Sequence, residues 1–150
     1  MRIDYSALPS GCSRIVIDGD RGAGKTTLAK EIAGHLGFQV VSLDSYLRGD
    51  GKPYLEQLNW EALRNGIMAS GSSIVIEGIL ALKILDELHM DCDYHIFMKL
   101  YNGTLGWDYE QYLGTNKRQR NTKSMPEIVQ YYMDYKPFER CDLVLNRHVS

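Results

Sequence analysis

The stretch Arg14-Ile15-Val16-Ile17-Asp18-Gly19-Asp20-Arg21-Gly22-Ala23-Gly24-Lys25-Thr26-Thr27 decides how the rest of the chain is read. Arg14 to Ile17 is a short apolar run that predicts a buried strand, ending at Asp18-Gly19. Gly19 to Thr26 then follows the pattern Gly-x-x-x-x-Gly-Lys-Thr, in which each fixed position has a mechanical task. Glycines let the backbone take positive φ and turn N–H groups inward around a polyphosphate. The Lys25 ammonium can reach the outer phosphates, and the Thr26 hydroxyl can ligate Mg²⁺. From Thr26 the period changes: Leu28, Ala29, Ile32, Ala33 and Leu36 fall on one helical face, and Gly37 stands at the stop position. The positive end of that helix dipole adds to the loop's attraction for anions. With Gly at ~7% of residues, a random chain of this length matches the pattern less than about once in 100. Strand, loop and helix together predict a nucleotide site on Gly19, Asp20, Arg21, Gly22, Ala23, Gly24, Lys25, Thr26 and Thr27.

Outward from this stretch, apolar runs alternate with helical patterns. Phe38 to Leu43 predicts a second strand, and Trp60, Leu63 and Ile67 mark a helix closing near Ser70-Gly71. Ser73 to Ile76 predicts a third strand, Ile79 to Leu88 a helix, Tyr94 to Leu100 a fourth strand and Leu143 to Leu145 a fifth. Ser124 with Glu127 reads as a capping box opening a helix whose apolar face is Ile128, Val129, Tyr132 and Met133, stopped by Lys136-Pro137. This alternation predicts an α/β fold: one domain over residues 1–150, a three-layer sandwich with a five-stranded parallel sheet flanked by helices.

Composition narrows the partners. The chain has 150 residues, 44% hydrophobic and 24% charged, which excludes disorder and fibrous repeats. A net charge of −2 disfavours polynucleotide and anionic membrane, so any anion must meet a local cationic cluster. Cys12, Cys92 and Cys141 form no Cys-x-x-Cys pair, and His35, His89, His95 and His148 have no metal-ligand spacing. The first residues lack an apolar signal region and no stretch reaches ~18 apolar residues, so the expected location is the cytoplasm.

Two carboxylates point to the chemistry. Asp44 follows the second strand in Val41-Ser42-Leu43-Asp44-Ser45-Tyr46, and Glu77 follows the third in Ile76-Glu77-Gly78-Ile79. Carboxyl ends of strands face the crevice where open α/β sheets bind ligands. A carboxylate facing the γ-phosphate can orient an acceptor hydroxyl and take its proton. Structural roles stand beside these: Asp44 as a loop cap, Glu77 as the partner of a lysine. No Asn-Lys-x-Asp guanine motif is present, nor a hydrophobic run ending in Asp-Glu of the kind ATPase motors use.

The blocks "IDGDRGAGKTTLA", "VSLDSYLR", "SSIVIEGILAL" and "YYMDYKPFERCDLVL" resemble, in order from about Ile15 to Leu145, those of the uridine kinase and phosphoribulokinase family of P-loop kinases. "LEQLNWEAL" is weakly similar to the block after the acceptor loop in uridine kinases. The resemblance implies a kinase-like P-loop NTPase using ATP and Mg²⁺. Lys25 and Thr26 would hold phosphates and metal, Asp44 would be the catalytic base, and Glu77 would help organise the metal. The segment 114–124, with Lys117-Arg118-Gln119-Arg120, occupies the place of the family's lid, whose arginines close over ATP. Arg118 and Arg120 are the better phosphate partners because guanidinium forks suit phosphate. Tyr46 and Arg48 are candidates to touch the acceptor, with ordinary loop surface as the alternative. The Tyr131 to Tyr135 stretch reads as packing.

Two departures bear on function. Uridine kinases carry an arginine-rich helix after the fourth strand. Here Asn102-Gly103-Thr104-Leu105-Gly106-Trp107-Asp108-Tyr109-Glu110 holds no arginine. The stretch from Ser45 to Asn59 is also short for an acceptor insertion. The leading expectation is transfer of the γ-phosphoryl group of ATP to a hydroxyl of a small nucleoside-, sugar- or pantothenate-like metabolite. The alternative is a nucleotide-binding sensor or scaffold module without efficient transfer.

Overall fold

Side chains alternate across β1 (Arg14–Gly19), and both faces of the strand are covered. Ile15 and Ile17 pack with Leu28, Ala29 and Ile32 of α1 (Lys25–Leu36). Val16 faces the other way, toward Leu63, Ile84 and Ile128. Those three lie on α3 (Trp60–Ala69), α4 (Ala81–Leu88) and α5 (Pro126–Tyr135). The result is the expected three-layer arrangement. The computed structural model describes residues 3–103, 106, 107, 109, 110 and 126–149.

The sheet has five strands in the order β2-β3-β1-β4-β5, with β2 at Gln39–Ser42, β3 at Ile74–Glu77, β4 at Tyr94–Asn102 and β5 at Leu143–Val149. Every neighbouring pair is parallel. The chain leaves β1 toward β2 on one side and leaves β3 toward β4 on the other. The carboxyl ends of β1 and β3 therefore flank a topological switch point, where such sheets open a ligand crevice. Gly19 and Glu77 end those two strands.

Three local departures from the sequence reading have tertiary causes. β5 runs past its apolar run to Val149 because β4 pairs with it all the way from Ile96↔Leu143 to Asn102↔Val149. The helix expected from Ile79 starts at Ala81, because Leu80 takes φ 58° and its burial at 1% exposure offsets that backbone cost. A short helix, α2 (Tyr54–Gln57), forms between β2 and α3, where the sequence predicts no element. Its N-terminal donors are met from afar: Glu127 accepts from Tyr54 N at 2.6 Å and Leu55 N at 3.3 Å. Glu127 thus caps α2 across the fold, while its expected partner Ser124 lies outside the described residues. The last helix, α6 (Pro137–Arg140), follows the stop at Lys136-Pro137.

Among the described residues no helix is long and apolar enough to cross a membrane. An aromatic cluster of Phe97, Trp107, Tyr132 and Phe138, with ring centroids 5.3–6.3 Å apart, fills the space beneath the carboxyl end of β4.

Gly19 is where strand becomes loop. Its φ is +141°, and a Cβ placed there would lie 2.2 Å from the Met98 carbonyl oxygen on β4. Gly19→Ala is expected to destabilise the fold by about 3 kcal/mol or more through overpacking plus backbone strain. At roughly 2–4 °C per kcal/mol, the melting temperature should fall by about 6–12 °C or more. A differential scanning experiment checks this, and an unchanged melting point would show that β1 and β4 do not approach so closely.

Candidate active site

The phosphate loop leaves β1 at Gly19 and returns as the first turn of α1. Gly24 holds φ 94°, which swings the chain into the helix at Lys25. Gly22, Gly24, Lys25, Thr26 and Thr27 line one wall of a cleft of 640 Å³ at the switch point. Lys25 is 8% exposed and donates from Nζ to the Asp20 carbonyl at 2.6 Å, folding across its own loop. Burial pushes its ammonium below the usual lysine range, while Asp18, Glu77, Asp20 and Asp44 pull it back up. Its one hydrogen bond among the described residues is to that carbonyl, and its charge faces the cleft's carboxylates.

The loop is braced from behind. Asp18 accepts from Tyr131 Oη at 2.5 Å and from Gly19 N at 2.8 Å. Asp20 turns its carboxylate inward, away from the cleft, and accepts from Tyr132 Oη at 2.5 Å, Trp107 Nε1 at 2.6 Å and Leu100 N at 2.8 Å. Burial raises the Asp20 carboxyl above its usual range, and these three donors and Lys25 pull it down again. Both phenols sit well above the usual tyrosine range, through burial first and then the facing carboxylates, so they remain donors. The tyrosine stretch does pack, as expected, and also ties the loop to α5. Trp107, from the arginine-free segment, serves the same brace.

The carboxylates arrive from the other strands. Thr26 Oγ1 donates to Glu77 Oε1 at 3.1 Å, joining the start of α1 to the end of β3. Asp44 stands exposed on the single 3₁₀ turn Leu43–Tyr46 that follows β2, and its Oδ1 accepts from Tyr54 Oη at 2.6 Å. Asp44, Glu77 and Tyr54 line the same cleft as the phosphate loop. Burial, then the bond to Asp44, pushes the Tyr54 phenol far above its usual range.

The candidate residues distribute unevenly. Arg21, Gly22, Gly24, Lys25, Thr26, Thr27, Asp44 and Glu77 meet in the cleft. Ala23 instead lines a neighbouring cleft of 530 Å³ between α1 and β5. Tyr46 lies outside both and packs against Gly66 of α3, where an added Cβ would meet its hydroxyl at 2.0 Å. Arg48 is exposed, donates to the Glu56 carbonyl at 2.5 Å and pairs with Asp50 at 3.7 Å. Arg118, Arg120 and the segment 114–124 lie outside the described residues. Polar residues that were not site candidates also face the cleft: Lys52, Tyr54, Gln57, Glu127 and Arg147. Arg147 lines both clefts, and its Nη1 would stand 2.8 Å from a Cβ on Gly24. Its only sequence signal is a lone arginine just past the apolar run of the last strand.

Comparison with known proteins agrees with this architecture. No protein-family model matches the chain. A solved structure of a possible uridine kinase from Bacillus stearothermophilus superposes with a TM-score of 0.54 at 16% identity, covering 91% of this chain and 90% of that one. Shikimate kinase from Acinetobacter baumannii, in complex with shikimate, gives 0.53 at 14% identity over 93% and 86%. The pentafunctional AROM polypeptide of Scheffersomyces stipitis is 41% identical over 59 residues, 37% of this chain. That match spans 4% of the polypeptide's length. The chain has the P-loop kinase fold, with a five-stranded parallel sheet flanked by helices.

Proposed function

We propose that this chain is an ATP-dependent phosphotransferase that moves the γ-phosphoryl group to a hydroxyl of a small metabolite. The observation that carries this reading is the exposed Asp44 carboxylate lining the same cleft as Lys25, Thr26 and Glu77. Binding a nucleotide gains nothing from such a carboxylate, whereas transfer to an alcohol is speeded by a base placed there. Solved structures that share this fold include proteins named for uridine and shikimate, both small hydroxylated molecules.

In this reading Lys25 leaves the Asp20 carbonyl for the outer phosphates. The Thr26 hydroxyl and the Glu77 carboxylate, hard oxygens 3.1 Å apart, fit Mg²⁺ arriving with the nucleotide. Among the described residues no cluster of His, Cys, Asp or Glu is arranged to hold an ion unaided, and a nucleotide-borne Mg²⁺ needs only one or two protein oxygens. When bound, the ion neutralises phosphate charge. Asp44 takes the proton of the acceptor hydroxyl as its oxygen bonds to the γ-phosphorus and the bond to the β–γ bridging oxygen breaks. Arg21 and Arg147 line the cleft on the phosphate side, and Arg118 and Arg120 are proposed to add charge from the lid segment.

The test is a screen of γ-phosphate transfer from ATP·Mg²⁺ to nucleosides, sugars, pantothenate-like alcohols and water. Transfer to one acceptor class well above water is the expected result. Nucleotide binding without transfer to any of them would select the sensor reading instead.

A further inference from the structure

We propose that Tyr54 is a positioning residue that orients the Asp44 carboxylate toward the acceptor, and that Glu127 holds Tyr54 in place to do so. The inference rests on the phosphotransfer reading and adds to it the question of what aims the base. Asp44 needs aiming: an exposed side chain on one turn of 3₁₀ helix samples several rotamers unless a partner holds it. Among the described residues its carboxylate has a single hydrogen-bond partner, the Tyr54 hydroxyl at 2.6 Å.

That partner is itself anchored, in the core and through its backbone. Tyr54 is 5% exposed and its ring belongs to the core cluster that includes Leu58 and Leu63. Its own N–H is held by Glu127 Oε1 at 2.6 Å, and the next N–H by Oε2. The excursion that carries Tyr54 is closed at its base by the Leu47↔Leu58 bridge, by Arg48 N to the Gln57 carbonyl at 2.9 Å, and by Asn59 N to the Tyr46 carbonyl at 2.8 Å. A rigid donor therefore grips one oxygen of an exposed carboxylate. With Oδ1 engaged, Oδ2 is left to accept the acceptor's proton, and the direction of that lone pair is set before substrate arrives. Such pre-orientation is worth a large factor in rate, because small misplacements of a reacting group are costly.

The experiment compares kcat, acceptor KM and the melting shift with ATP·Mg²⁺ for the full chain carrying Tyr54→Phe, Asp44→Asn or both. The reaction followed is transfer to the acceptor found by screening, or to water where none is found. Tyr54→Phe is expected to lower kcat about 10- to 100-fold, the range of a lost hydrogen bond to a charged group, with the nucleotide melting shift retained. In the Asp44→Asn background the same change should cost less than about 3-fold, because Tyr54 acts only through that carboxylate. A structural role would instead multiply the two losses, and that result overturns the proposal. So does a Tyr54→Phe chain that loses its nucleotide melting shift, or one with unchanged kcat while Asp44→Asn collapses. If Asp44→Asn itself turns over normally, or the wild type transfers to neither acceptor nor water, the phosphotransfer reading falls and takes this one with it.

Discussion

Asp44→Asn should bind ATP·Mg²⁺ almost as the wild type does while turnover falls by ~10²-fold or more, the loss expected on removing a positioned base. The substitution is nearly isosteric, and an amide oxygen still accepts from the Tyr54 hydroxyl that now lies 2.6 Å from Oδ1. The phosphate loop is also untouched, since its own contacts run from Lys25 to the Asp20 carbonyl and from Thr26 to Glu77. What disappears is the capacity to take a proton at pH 7. Steady-state transfer assays beside a nucleotide melting shift separate the two functions. Near-normal turnover in this variant would rule out the base role and leave Asp44 as a structural cap.

Lys25→Ala should remove most of the stabilisation that ATP·Mg²⁺ confers. At a ligand concentration near 100 times Kd, binding to the folded state is worth about 2.7 kcal/mol. That corresponds to roughly 5–11 °C in a chain of this size. The side chain is buried beside Asp18, Glu77, Asp20 and Asp44, so without it a polyphosphate would enter a cleft rich in negative charge. The unliganded fold should lose stability too, because the ammonium offsets the buried Asp18 and Asp20 carboxylates, so the nucleotide shift is read against the variant's own unliganded melt. Paired thermal melts with and without nucleotide measure both quantities. A full nucleotide shift in Lys25→Ala would overturn the assignment of Gly19 to Thr26 as a nucleotide cradle.

Much of the fold was legible in the sequence because it is written in local periodicity. Runs such as Ile15-Val16-Ile17 and Ile74-Val75-Ile76 are too short and too apolar for anything but strands covered on both faces, and Leu28, Ala29, Ile32 and Ala33 repeat at a helical spacing. The α2 helix has no signature in the sequence because four residues carry no periodicity and its cap, Glu127, is 73 positions away. Residues at element ends were the legible part of the candidate site: Lys25 and Thr26 open α1, and Glu77 closes β3. Tyr46 shows the limit of reading by proximity. Two positions beyond Asp44 on a turn with three residues per revolution, it projects elsewhere, and the structure sets it against Gly66.

The sequence by itself determined the alternation of strands and helices and the phosphate loop, because both depend on neighbours within a few residues. Strand order, and with it the crevice between β1 and β3, was decided only by tertiary pairing. The same holds for the partners that complete the candidate site. Tyr131 and Tyr132 reach Asp18 and Asp20 across 113 and 112 positions, and Arg147 meets Gly24 from the far edge of the sheet. Such contacts leave no periodic trace. They exist because a parallel sheet carries distant segments to one edge, where buried carboxylates must find donors or bear the cost of desolvation.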